Sequence, residues 1–124
     1  MNRILALQFA FDRLIYDVHK ADYDPIKEIE TFWNRYALDT ISDNILELLG
    51  TYVNDEMQKD WSYIDEEMYE FATELYRVLI AYCVANYRHI ALSKLELSAK
   101  AKERIAKKLE MSKKIVDFFC RLSK

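Results

Sequence analysis

The chain has 124 residues, 52% of them hydrophobic, with a single glycine (Gly50) and a single proline (Pro25). A strand-rich domain of this length needs many tight turns built from those two residues, so their scarcity favours an all-α fold in one domain. Charged residues make up 31% and aromatics 14%, ample apolar surface to offset ordering entropy, which excludes a disordered chain. The longest apolar run, Val78 to Ala85, is eight residues, far short of the roughly 18 that span a bilayer, so no membrane partner is expected. The net charge of −3 divides unevenly: residues 1–89 hold 8 Lys/Arg against 17 Asp/Glu, and residues 90–124 hold 10 against 4. Residues 1–124 thus read as one helical domain with an acidic part, 1–89, and a basic C-terminal part, 90–124.

The apolar residues Ile4, Leu7, Phe11, Leu14 and Val18 recur at steps of three and four, which predicts a helix from Asn2 to about His19 rather than a signal peptide. Leu5, Phe9 and Ile15 widen its apolar face and predict a well-buried helix. Asp24 before Pro25 is a cap followed by a first helical position that needs no N–H, and it opens a second helix carrying Ile26, Ile29, Phe32, Trp33 and Tyr36. Asp39, Thr40 and Ser42 supply caps for a shorter third helix ending near Val53, close to Gly50, with a polar loop from Asn54 to Trp61. The strongest periodicity follows, with Met68, Phe71, Leu75, Val78, Tyr82, Ala85, His89 and Leu92 predicting a long central helix over about 63–92. Ser98 caps a fifth helix ending near Leu109, and a sixth is predicted from about Lys113 to Leu122. The expectation is a compact bundle of five to six helices.

Chemistry-bearing constellations are few. Glu-x-x-His pairs of a di-metal carboxylate bundle are absent, because Tyr16 precedes His19 and Asn86 precedes His89 at that spacing. Glu67, Glu70 and Glu74 form a ladder similar to half of the acidic pattern of helical-bundle nucleotide pyrophosphohydrolases, without the second acidic pair that pattern needs. His89 in the central seam reads as a core histidine, and His19 as a cation at a helix C-terminus. Cys83 and Cys120 lie in apolar helical stretches as small hydrophobes, which points to a reducing, cytoplasmic setting. A single glycine permits no phosphate-cradling loop. Neither an enzyme nor a cofactor or metal is expected.

Two surfaces remain. Between Asp55 and Glu74, acids interleave with aromatics, and Asp60, Trp61, Asp65, Glu66, Glu67 and Glu70 would suit a basic protein partner. The run from Ile105 to Val116 resembles the core of a helix-turn-helix, with Ala106 at the crossing, Ser112 capping the second helix, and Val116 and Phe119 facing inward. Glu110 stands where the family has glycine. The resemblance implies that Ser112, Lys113 and Lys114 face the major groove and that Arg104, Lys107 and Lys108 hold phosphates. The leading expectation is a small non-enzymatic intracellular binding protein that contacts DNA or RNA through these helices, as a regulator or as a small subunit of a nucleoprotein complex. The alternative is a protein-binding inhibitor, immunity or anti-defence factor using the acidic surface. Self-association of acidic against basic ends is a third reading.

Overall fold

In a computed structural model the described residues are 3–58 and 66–123, with side chains described for 5–50 and 66–123. The fold is all-α: α1 (Arg3–Asp17), α2 (Pro25–Arg35), α3 (Leu38–Gln58), α4 (Glu66–Tyr87) and α5 (Ala99–Leu122), with a short 3-10 turn at Leu92–Lys94. No strand occurs among the described residues.

The start of α2 forms as its sequence dictates. The Asp24 carboxylate accepts from the Ile26 N–H at 3.0 Å, and Pro25 occupies the first turn. Ile29, Phe32 and Tyr36 then project onto α4, where Phe71, Val78 and Ala81 complete the core. Aromatic edges lock this layer: Phe32 lies 5.0 Å from Tyr36, and Tyr36 lies 5.4 Å from Phe71, ring centre to ring centre. Such pairs add about 0.5–1.5 kcal/mol each beyond their buried area. Trp33 sits at the margin, its indole N–H donating to the Tyr82 hydroxyl at 2.7 Å. The helix α4 is central as expected, touching α1, α2 and α3. On α1, Leu14 is buried and Phe11 stacks on Tyr76. Leu5, Phe9 and Ile15 are exposed, so α1 lays a narrower stripe on α4 than its composition predicts.

Three boundaries differ from the sequence expectation. α3 continues to Gln58, through the predicted loop, so Gly50 lies inside a helix rather than near its end. α4 stops at Tyr87, and the seam ends with it: His89 is exposed and adopts φ 56°. The Ile90 N–H bonds the Ala85 carbonyl at 2.8 Å and the His89 N–H bonds the Asn86 carbonyl at 3.2 Å. That is a Schellman end with histidine at the left-handed position usually held by glycine. Finally, α5 is one unbroken helix of 24 residues, where two helices and a turn were predicted. Ser112 is not a cap but lies in mid-helix, and Val116 and Phe119 are 56% and 61% exposed rather than inward. Glu110 and its neighbours continue the helix because every residue from 99 to 122 is compatible with it and none is glycine or proline.

Two substitutions check these ends. An added methyl group at Gly50 meets nothing within 4 Å, so Gly50→Ala is expected to stabilise the chain by about 0.5–1 kcal/mol in urea unfolding. His89→Gly removes a left-handed L-residue and is expected to raise stability by about 0.5–1 kcal/mol; a loss in either variant contradicts the corresponding helix assignment.

Candidate functional site

The first turns of α5 are fixed to the end of α2. Ser98 caps α5 by accepting from the Ala101 N–H at 3.1 Å, and its own N–H donates to the Asn34 side chain at 3.0 Å. Just upstream, the Glu96 N–H donates to the Glu30 carboxylate at 2.7 Å. Ala101 is fully buried. Arg104, expected at a phosphate, turns inward instead: its guanidinium donates to the carbonyls of Trp33 at 3.4 Å and Asn34 at 3.3 Å. Those are among the carbonyls that the last turn of α2 leaves without helical partners, so Arg104 acts as a side-chain cap. Lys108 reaches Asp39 at the start of α3. Ala37, Leu38, Asp39, Arg104, Lys107, Lys108 and Met111 line an open cleft of about 310 Å³ where α3 and α5 meet.

Beyond Lys108 every residue of α5 is exposed. Leu109, Met111, Ile115, Val116, Phe118, Phe119 and Leu122 are each 50–67% exposed. At 3.6 residues per turn Met111, Ile115, Phe118 and Leu122 share an arc of about 60°, Phe119 lies about 40° beyond it, and Val116 and Leu109 are about 100–120° beyond it, so the apolar residues cover about half of the helix. A stripe this apolar on a solvated helix departs from an ordinary surface. α3 carries a matching feature. Ile45, Leu46 and Leu49 are 39%, 67% and 57% exposed and lie on the side of α3 that Leu38 turns toward the cleft.

The opposite edge of α5 holds a signal that net charge conceals. Lys100, Lys107, Lys114 and Arg121 recur every seven residues, and Glu103, Glu110 and Asp117 recur every seven, three residues later. The ladder alternates sign along one edge, and two of its rungs close: Lys107–Glu103 at 3.1 Å and Lys114–Glu110 at 3.4 Å. Such i,i+4 pairs contribute about 0.2–0.5 kcal/mol each to a solvated helix. A strict seven-residue spacing is the pattern of a helix that packs lengthwise on another. Periodicity counted on charge, rather than totals, would have found it.

The sequence-derived nucleic-acid residues are therefore not gathered into one unit. Arg104 and Lys108 face the body, Lys107 and Lys114 pair within α5, and Ser112 and Lys113 are exposed on its solvated half. Of the acidic surface, Asp60, Trp61 and Asp65 lie outside the described residues. Glu66 and Glu67 are exposed in the first turn of α4, and Glu70 pairs with Arg35 at 2.6 Å across to α2. Cys83 and Cys120 are free and exposed, not core hydrophobes. Neither Glu67, Glu70 and Glu74 nor any other described group of His, Cys, Asp and Glu forms a cluster that could hold a metal ion. No described helix is long and apolar enough to cross a membrane.

A second concavity, about 260 Å³, lies between α1, α2 and α4 and is lined by Leu14, Asp17, Tyr23, Glu28, Arg77 and Ile80. Arg77 bridges Glu74 at 2.9 Å and Glu28 at 3.7 Å. Burial raises the Glu28 carboxyl above its ordinary value; Arg77 opposes the shift, and Glu74, Asp17 and Asp24 add to it. Burial, then Glu28, raises the Tyr23 phenol. These groups pin three helices and leave no nucleophile beside a base. No protein-family model, curated protein or solved structure matches the chain.

The Glu28 shift has a definite sign. A carboxyl raised from 4.5 in the fold binds its proton more tightly there than in the unfolded chain. Its contribution to stability is full below pH 4.5 and is lost as pH rises through the folded value. Glu28→Gln is expected to melt higher than wild type at pH 7, with the gap closing by pH 3.5; a gap that widens in acid contradicts the burial of this carboxyl.

Proposed function

We propose that the protein is a non-enzymatic interaction module whose working surface is the apolar face of α5 from Leu109 to Leu122. The observation that carries this reading is the exposure of seven large apolar side chains on a helix whose first turns are firmly docked. Solvent exposure of such a stripe costs free energy that a partner would recover, at about 25 cal/mol per Å² of apolar surface removed from water. Aromatic anchors near the middle of a contact carry much of its affinity, and Phe118 and Phe119 supply them. The charge ladder supports the reading from the other edge, since it sustains the helix where no neighbour does and flanks the stripe with fixed charge.

The test is affinity capture with the full chain and with an Ile115→Asp/Phe119→Asp variant as bait, using extract of the cells that make the protein. Both positions are half or more exposed, so the variant is expected to keep its melting temperature within the range of surface changes, about ±0.5 kcal/mol. Proteins held by wild type, including further copies of the chain itself, are expected to be lost from the variant. An identical captured set contradicts the reading. Retention on duplex DNA that falls steeply with salt and is abolished by Lys107→Glu/Lys114→Glu would favour a nucleic-acid partner in its place.

A further inference from the structure

The two unpartnered stripes, on α3 and on α5, have opposite charged edges. Asp39, Asp43 and Glu47 follow one another at steps of four along α3, beside Leu46 and Leu49, and all three acids are exposed. On α5, Lys107, Lys114 and Arg121 run beside Met111, Ile115 and Phe118. The junction of the two helices already uses this complementarity, in the Lys108–Asp39 pair.

The stripes do not close on each other within one chain. Leu46, Leu49, Ile115, Phe118 and Leu122 are all 50–67% exposed, so the helices part beyond the cleft. Sharp bends in helices arise at proline, at glycine, at π-bulges or at inserted groups. α5 has neither proline nor glycine, and Gly50 of α3 lies beyond Leu49. Both arms are therefore stiff, and no described side chain fills the gap between them.

We propose that the occupant is a second copy of this chain, in a reciprocal two-fold dimer in which α5 of each protomer lies against α3 of the other. This rests on the reading of α5 as the contact surface and names what covers it. α5 carries a net excess of positive charge, 8 Lys/Arg against 3 acids, whereas α3 holds 5 acids and no Lys or Arg, so α3 complements α5 better than a second α5 does. Pairing α5 with α3 sets lysines against acids and stripe against stripe, twice over by symmetry. Met111, Ile115, Phe118 and Leu122 on α5 and Leu46 and Leu49 on α3, each half or more exposed, are the apolar side chains such a contact covers, twice over.

The experiment is sedimentation equilibrium of the full chain across concentration, with two variants: Lys107→Glu/Lys114→Glu on α5 and Asp43→Lys/Glu47→Lys on α3. Wild type is expected to approach twice 14.8 kDa as concentration rises, and each variant alone to sediment as a monomer with unchanged far-ultraviolet circular dichroism. An equimolar mixture of the two variants is expected to recover the dimer, because one protomer's glutamates then meet the other's lysines and the second contact is wild type. Misfolded variants could not do so. A monomeric wild type at all concentrations overturns the second copy as occupant, and the α5 reading then stands or falls separately on whether Ile115→Asp/Phe119→Asp still loses a different protein. A dimer that survives the α3 variant, or a mass that grows past two chains, overturns the reciprocal arrangement.

Discussion

The carbonyls that end α2 decide where α5 goes. A helix that terminates at Arg35 leaves its last carbonyls without helical partners. Arg104 donates to two of them, and the Asn34 side chain holds the N–H of the residue that caps α5. With α5 unbroken through Leu122, aiming its first turns aims all the rest. The apolar stripe beyond Lys108 is thereby carried clear of the body as a consequence of end-capping at another helix. A positively charged side chain that composition assigns to a ligand is consumed by the fold, and the residues it positions become the surface of interest.

That arrangement separates two jobs along one helix. The first turns bury Ala101 and satisfy polar groups of α2, so they belong to the core held by Ile29, Phe32, Tyr36, Phe71, Val78 and Ala81. Every residue of the later turns is exposed. An isolated helix of such length is marginal in water, because nucleation is costly. Here nucleation is already met by the docked turns, and the charge ladder adds increments at the solvated edge. The distal half is thus a low-stability extension of a high-stability unit, as contact surfaces often are.

Much of the fold was legible in the sequence because its signals are local. Asp24 before Pro25, Ser98 before Ala101, and the seam from Met68 to Ala85 each specify a helix end or face within a few residues, and each is found as read. The misreadings share a cause. Ser112 in a solvated helix is indistinguishable from a capping serine until the flanking backbone is seen. Spacing shows that Val116 and Phe119 form a stripe with Ile105, but not whether anything lies across it. His89 continues the arithmetic of the α4 seam by coincidence, because it is the left-handed residue of the Schellman end that a chain with a single glycine completes with histidine. The candidate surface was half visible: its basic edge was read as phosphate-binding because the lysines were counted, whereas their seven-residue spacing against Glu103, Glu110 and Asp117 describes a lengthwise contact.

The central claim is that residues 109–122 form a helix face that is bare in the single chain and covered on association. Amide hydrogen exchange, followed by peptide across a dilution series, addresses it directly. Exchange at 109–122 and over 42–50 of α3 is expected to be fast when the protein is dilute and to slow together as concentration rises. Exchange over 68–85 of the core is expected to stay slow throughout. Rates at 109–122 that are independent of concentration, or protection there without any change in α3, would contradict it.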